Sequence, residues 1–346
     1  MAKSNIVRNR RSNPPFFWIG AFVTVACLLN VSMMGAQSNS QILISRAEKG
    51  DPDAMFLLAN LYLQGKEVPT DYSKAAEWLG KAVERNLPEA MFSLGTMYRD
   101  GIGVTQDYRK SLELLEKAAA NGLPEAMYNL GSMYRDGHGV TQSDQKAIEW
   151  YQKAADKGDA DAMNRMGAWT LEGRGTPKDE ATAVDWFQRA SEAGNSDALY
   201  NLGQAYLTGR GVPQSNDKAS ELLQSAAKKG HSEAMYKLGL MYATGRGLPR
   251  NEAKAAEWFK KSAEGGVPSA MYSLGVILEK GSLEVKQDLS QAISWYEKAA
   301  EKGYANAMHN LAVIYKEGRG VPKSESKAQE WLRRESEAKR EKPKKP

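Results

Sequence analysis

The stretch "YNLGSMYRDGHGV", residues 128–140, holds a glycine-rich turn around a histidine. Taken alone, a Gly-His-Gly turn fits a phosphate loop, a metal site or a strained catalytic turn. The same chain carries "FSLGTMYRDGIGV" at 92–104 and "YNLGQAYLTGRGV" at 200–212. A motif written several times is a structural period before it is a site. Aligning on the Ala of a recurring Ala-Met or Ala-Leu pair marks Ala54, Ala90, Ala126, Ala162, Ala198, Ala234, Ala270 and Ala307. The spacing is 36 residues six times and then 37, the extra residue lying in "GSLEVKQD", 281–288, where the second loop glycine is missing. Eight repeats result, preceded by a half-repeat, "ILISRAEKG", at 42–50.

Each repeat reads as two helices. Pro52, Pro88, Pro124 and Pro268 stand where the first helical residue belongs, and an acid follows in six repeats (Asp53, Glu89, Glu125, Asp161, Asp197, Glu233). Proline is preset for that place, and the acid favours the positive end of the helix dipole. Met55, Leu58 and Tyr62 at i, i+3 and i+7 form one buried stripe. Gly65, Gly101, Gly137, Gly173, Gly209, Gly245, Gly281 and Gly318 end the first helix. The second helix opens at Asp71, Asp107, Ser143, Asp179, Ser215, Asn251, Asp288 and Ser324, all good N-caps. Its expected stripe is Ala75, Trp78 and Ala82, with Trp again at 150, 186, 258, 295 and 331. It closes on Gly122, Gly158, Gly194, Gly230, Gly266 and Gly303, with Asn86 as the substitute best suited to a left-handed residue. Gly95, Gly131, Gly167, Gly203, Gly239 and Gly275 sit inside the first helix, each costing about 1 kcal/mol of helix propensity. Close approach of the paired helix is the expected reason, and Ala59 and Ala312 fill the place in the terminal repeats. Asn201 is expected to be exposed.

The net charge of +5 sits at the ends: residues 1–40 carry +4, residues 333–346 another +4, and the body between is at −3. A mildly acidic body has no electrostatic footprint for nucleic acid. The one cysteine, Cys27, excludes a disulfide framework or a cysteine metal site in the folded part. Arg8, Arg10 and Arg11 precede an apolar run from Phe16 to Met34, and "GAQSNSQ" comes next. Residues 1–36 therefore read as a cleaved signal peptide or an uncleaved membrane anchor, and either exports the rest of the chain to the periplasm or the outside. The layout is 1–36 leader or anchor, 37–50 linker and half-repeat cap, 51–338 repeat array, and 339–346 basic tail.

The repeat "AMYNLGSMYRDGHGVTQSDQKAIEWYQKAADKGD", 126–159, closely resembles the Sel-one-like repeat, a relative of the tetratricopeptide repeat, through its Ala-x-x-x-Leu-Gly-x-x-Tyr, Gly-x-Gly-Val and Lys-Ala-x-x-Trp elements. The resemblance covers about residues 41–338 and implies an all-α, α/α superhelical solenoid of helix pairs. It also implies scaffold or adaptor work, often on exported or envelope-associated proteins. Some relatives are cysteine-rich and have been called penicillin-binding or β-lactamase-like; no repeat here contains cysteine.

Ser-x-x-Lys, the nucleophile motif of penicillin-recognising enzymes, occurs at Ser143–Lys146, Ser215–Lys218 and Ser324–Lys327. Asp71–Lys74 and Asn251–Lys254 hold the same places, so the serine reads as an N-cap. No Ser-Asp-Asn or Lys-Thr-Gly accompanies it, nor any GxSxG, HExxH or Walker loop. His138, His231 and His309 fall at different repeat positions. No catalytic, metal or cofactor residues are assigned.

The candidate binding surface is a second stripe. Phe56, Phe92, Tyr128, Tyr200, Tyr236 and Tyr272 lie one residue beyond the buried stripe, turned by about 100° from it. By resemblance to the tetratricopeptide fold this face lines the concave groove, and Arg99 and Arg135, with Asp100, Asp136, Glu172 and Lys316, flank it. Such a ladder suits an extended peptide. The alternative is that the rings pack between repeats. The expected function is an exported scaffold for a protein or peptide partner, with no catalysis and no cofactor. A peptidoglycan- or β-lactam-directed envelope enzyme and a glycan receptor are the alternatives.

Overall fold

The computed structural model describes residues 39–341, so the leader or anchor and Cys27 lie outside the described residues, as do the last residues of the basic tail. Among the described residues there are seventeen α-helices and no strand. The chain divides into two compact units, ending at Asp179 and beginning at Glu180, each a tandem run of antiparallel helix pairs.

The N-terminal unit contains α1 (Asn39–Glu48), α2 (Pro52–Gln64), α3 (Tyr72–Glu84), α4 (Pro88–Asp100), α5 (Tyr108–Ala120), α6 (Pro124–Asp136), α7 (Asp144–Asp156) and α8 (Ala160–Glu172). The C-terminal unit contains α9 (Glu180–Glu192), α10 (Ser196–Thr208), α11 (Asn216–Lys228), α12 (Ser232–Thr244), α13 (Glu252–Glu264), α14 (Pro268–Lys280), α15 (Leu289–Glu301), α16 (Ala305–Glu317) and α17 (Glu325–Glu341).

Cap chemistry accounts for where the helices start. In α4, α6 and α14 the N-cap is apolar (Leu87, Leu123, Val267) and offers no acceptor, and proline follows at the first helical place. Proline has no N–H, so one orphan donor is removed instead of bonded. In α8, α10 and α12 no proline follows, and Asp159, Asn195 and the His231 ring accept from the third backbone N–H inside the helix. At the second helices, Asp71, Asp107, Ser143, Ser215, Asn251, Asp288 and Ser324 accept as expected. Asn86 has φ 58°, the left-handed conformation read from its place. Gly281 departs from the series: at φ 64°, ψ 169° it leaves α14 outside the left-handed helical region, in a positive-φ conformation open essentially to glycine.

The glycines inside the first helices are explained by the side chains that face them. A Cβ on Gly131 would lie 2.7 Å from the Tyr151 ring, one on Gly239 2.5 Å from Phe259, and one on Gly275 2.6 Å from Tyr296. Opposite leucine the fit is looser, 3.1 Å from Leu115 for Gly95 and from Leu223 for Gly203. Leu79, Leu115, Tyr151, Phe187, Leu223, Phe259 and Tyr296 are the fully buried side chains of the second helices. They come one residue after the tryptophan place, which corrects the expected stripe: the tryptophans are half-buried. Each carries a cation from one turn later over its ring, Lys81 on Trp78, Lys153 on Trp150, Arg189 on Trp186, Lys261 on Trp258, Lys298 on Trp295 and Arg334 on Trp331, at 3.8–4.6 Å. A cation shields the indole face at the surface, so a tryptophan there needs no full burial. Asn201 is a second correction, being buried and not exposed. Its place adjoins the preceding repeat: at the same place Ser93 is buried and Asn129 accepts from Arg99.

Candidate functional site

All six rings of the candidate stripe are half-buried. One side packs on the second helix of the same repeat: Tyr128 lies 5.3 Å from Tyr151, Tyr236 5.7 Å from Phe259 and Tyr272 5.8 Å from Tyr296, all tilted. Some also meet the next repeat. Tyr200 stacks on His231 at 4.7 Å, and Tyr272 lies 5.3 Å from Tyr304. Burial raises the phenol of Tyr200, and that of Tyr151 to about 12, so both stay neutral hydrogen-bonding groups at ordinary pH. Asn60 and Leu63 follow Phe56 at i+4 and i+7 on the same helix face; Leu63 belongs to the core, while the buried Asn60 Oδ1 has no hydrogen-bond partner among the described residues.

Arg99 and Arg135, with Asp100 and Asp136, close the lower end of this face in the N-terminal unit. Each arginine forks onto the aspartate that follows it, at 2.8 Å for Arg99 and 2.6–2.8 Å for Arg135. Arg99 also reaches Asn129 of the next repeat. The Asp136 hydrogen bond holds the Arg135 guanidinium charged, and Arg135 in turn lowers the Asp136 carboxyl below its usual range. In the C-terminal unit the corresponding face is mainly apolar. Leu207, Leu240, Met241 and Thr244 line a cavity of about 350 Å³ with Lys237 and Arg246 at its edge, and burial lowers the Lys237 ammonium.

The Gly-His-Gly turn has a mechanical role. His138 stacks on Tyr108, the first residue of α5 in the preceding repeat, at 4.7 Å and 9°. In three other repeats an arginine at the same loop place makes the same reach of 30 residues backward. Arg174 forks onto Asp144 at 2.7 Å, Arg210 meets Glu180 at 3.0 Å, and Arg246 meets Asn216 at 3.0 Å. In the lengthened loop Glu284 Oε2 caps the backbone N–H of Ala253 instead. These five loops thus clip their repeats to the ones before. Single-position reading misses this; comparing residues 30 apart finds it.

The Ser-x-x-Lys sites are structural on both counts. Ser143, Ser215 and Ser324 Oγ accept from the backbone N–H of Lys146, Lys218 and Lys327. The lysine ammonium lies over a tyrosine of the first helix, 5.3 Å from Tyr134, 5.2 Å from Tyr206 and 4.9 Å from Tyr315. Asp71 and Asn251 cap the same way, with Lys74 over Tyr62 and Lys254 over Tyr242. Where the tyrosine place holds Thr170 or Leu278, the lysine place holds Thr182 or Gln291. The three histidines stand apart. His138 is in a loop clip; His231 Nδ1 caps α12 with Nε2 3.3 Å from Asp197; His309 Nδ1 lies 3.3 Å from Glu335. Among the described residues no three His, Cys, Asp or Glu are grouped to hold a metal ion.

The family follows from this architecture. The sequence model of the Sel1 repeat matches residues 52–87, 88–123, 124–159, 160–195, 196–231, 232–267, 268–304 and 305–334. The chain belongs to the Sel1 repeat family. It is similar to the structure of a protective antigen present in uropathogenic Escherichia coli strains and displaying an SLR fold, with 33% identity and a TM-score of 0.73. That match covers 87% of this chain but 64% of the antigen, so the chain spans less than two thirds of that protein. A Sel1 repeat protein from Oxalobacter formigenes is 31% identical with a TM-score of 0.63, over 88% of this chain and 87% of that one. No curated protein matches the chain. Sel1 repeat proteins are in general non-catalytic scaffolds for protein interaction.

Proposed function

We propose that this Sel1 repeat protein is an exported scaffold that holds an extended segment of another protein along its first-helix face, without catalysis. The observation that carries the reading is the half-buried ring in six of the eight repeats: Phe56, Phe92, Tyr128, Tyr200, Tyr236 and Tyr272. Tyr128, Tyr200, Tyr236 and Tyr272 are each packed against a neighbouring ring at one side, so little rotamer entropy is lost on binding, which is what interface aromatics need. Export rests on residues 1–36, where bases precede an apolar run and a small-residue end. A relative described as a protective antigen is in keeping with an exported chain.

Affinity capture of the full chain, with cross-linking, tests the binding face through the variant carrying Tyr200→Ala, Tyr236→Ala and Tyr272→Ala. Interface aromatics contribute about 2 kcal/mol or more each, so capture should fall by orders of magnitude with helical content near that of the wild type. Unchanged capture, or a collapse of the fold in place of a binding defect, removes the groove reading. A reporter active only outside the cytoplasm, fused after residue 60, should be active, and a silent one removes export. Mass spectrometry of the mature N-terminus separates cleavage near Ala36 from a retained anchor.

A further inference from the structure

Among the arginines of the N-terminal unit, one stands out from the rest. Arg99, Arg135 and Arg174 hold Asp100, Asp136 and Asp144, respectively. Arg165, on α8 and half-buried, has a single hydrogen bond among the described residues, to the Tyr128 hydroxyl at 3.5 Å. Burial and, to a lesser degree, the Arg135 charge work against the guanidinium, while Tyr128 and Tyr151 hold it protonated, so it stays a cation with no carboxylate against it among the described residues. A guanidinium removed from water without a counter-anion is unfavourable. The scaffold does not demand it, because Leu57, Ser93, Asn129, Asn201, Lys237, Ser273 and Asn310 occupy the same place in the other repeats. Its planar fork of donors matches a carboxylate in a way that a lysine or a hydroxyl does not.

We infer that Arg165, beside the Tyr128 hydroxyl, is the position where the N-terminal unit reads a carboxylate of the bound segment. This rests on the groove reading above and adds the partner's chemistry: an extended peptide with an acidic group at that register. The carboxylate belongs to an Asp or Glu side chain or to a chain end, and the experiment separates the two. Selectivity follows from the cost of leaving Arg165 buried and unpaired when an uncharged group occupies the place.

The test uses the described protein with its leader removed and four pools of labelled ten-residue peptides, otherwise randomised without Asp or Glu. The first two are amidated with central Glu or central Gln, the third has central Gln and a free C-terminus, and the fourth has central phosphoserine. The Glu pool, the free-end pool or both should bind about tenfold tighter than the amidated Gln pool, as a charge-assisted forked contact implies. R165Q should erase that preference while its circular dichroism and melting temperature stay at or above the wild-type values, and R165K should restore only part of it. Equal binding of all pools, a preference that survives R165Q, or a phosphoserine pool that binds tightest overturns the carboxylate assignment. A lowered melting temperature with an unchanged preference also overturns it, because Arg165 is then a packing element. The two readings fail in distinguishable ways. If no pool binds the wild-type protein, the groove reading falls and this inference with it. If the pools bind equally and the triple tyrosine variant loses them all, the groove stands and only the carboxylate reading falls.

Discussion

Nine residues after the aligning alanine, the N-terminal unit presents Leu63, Arg99, Arg135 and Leu171, while the C-terminal unit presents Leu207, Ala243, Glu279 and Lys316. Beneath that face the two units repeat one plan. Ala54, Ala90, Ala126 and Ala162 in the first, and Ala198, Ala234, Ala270 and Ala307 in the second, are fully buried. A glycine meets a buried leucine or ring in both. Positions set by helix approach are therefore kept, while this place diverges, buried where it is Leu63, Leu171 or Leu207 and half-buried where it is Arg99 or Arg135. The difference teaches where to look for function: in the divergent face, not in the turn that first draws the eye.

The largest effect expected tests the shared plan. Deleting residues 126–161, one full period, should leave a soluble helical protein, since nearest-neighbour stacking is restored. Deleting eighteen residues, 126–143, should abolish cooperative unfolding by circular dichroism. Equal damage from both would refute the register.

Glycine variants come next. Gly131→Ala and Gly239→Ala, one in each unit, should each cost about 2–3 kcal/mol in denaturant titrations, because a Cβ overlaps a buried ring. Gly95→Ala and Gly203→Ala should fall within about 1 kcal/mol of wild type, the gain in helix propensity offsetting mild crowding against leucine. Ala59, facing the same place as Leu79, shows that the combination packs. A Gly95 variant much worse than its Gly203 counterpart would mean that the units are not built alike.

A smaller effect distinguishes Asp159 from its counterpart Asn195. Burial lifts the Asp159 carboxyl to about 6 from 3.8, despite its bond from the Ala162 N–H. A folded pKa above the unfolded one favours the protonated form on folding. Stability from this group is therefore full below about pH 4 and is lost as pH rises through 6. Asp159→Asn keeps the capping acceptor and removes the buried charge. It should add about 1–2 kcal/mol at pH 7.5, a value discounted for partial exposure, and almost nothing at pH 4. No pH dependence of the difference would show that Asp159 is well solvated.

The smallest effect concerns the serines. Ser143→Asp, Ser215→Asp and Ser324→Asp should each change stability by less than about 0.5 kcal/mol, since Asp is an equal N-cap. Loss of a hydrolytic activity in that triple variant, with its fold intact, would revive the envelope-enzyme alternative.

Much of the fold was legible because the period multiplies weak signals. One Ser-x-x-Lys is ambiguous, but its alternation with Asp71–Lys74 and Asn251–Lys254 identifies a cap. The interior glycines announced a close helix contact before their partners were known. The tryptophan stripe misled, since hydrophobicity alone ranks Trp78 above Leu79 for burial and does not see Lys81 over the indole. Asn201 misled for the complementary reason, because polarity hides a place where repeats meet. Of the site, the rings and Arg99 and Arg135 were visible by recurrence. Arg165 was not, because it occurs once and its neighbours Tyr128 and Tyr151 come from α6 and α7.

The loop clips bear on how such a chain avoids annealing out of register with itself. Eight near-copies offer many wrong neighbours during folding, and their shared cores discriminate poorly among them. The clips come in three chemical kinds, an aromatic stack at His138–Tyr108, arginine onto an oxygen acceptor at Arg174–Asp144, Arg210–Glu180 and Arg246–Asn216, and the Glu284 carboxylate on the Ala253 backbone N–H. A slip that seats Arg174 on Tyr108, or His138 on Asp144, forfeits a forked ion pair or a ring stack. A slip among the three arginine clips forfeits much less. Mispairing is thus penalised most near the middle of the N-terminal unit, and the arginine-clipped repeats are where insertions, losses and swapped neighbours between chains meet the least resistance.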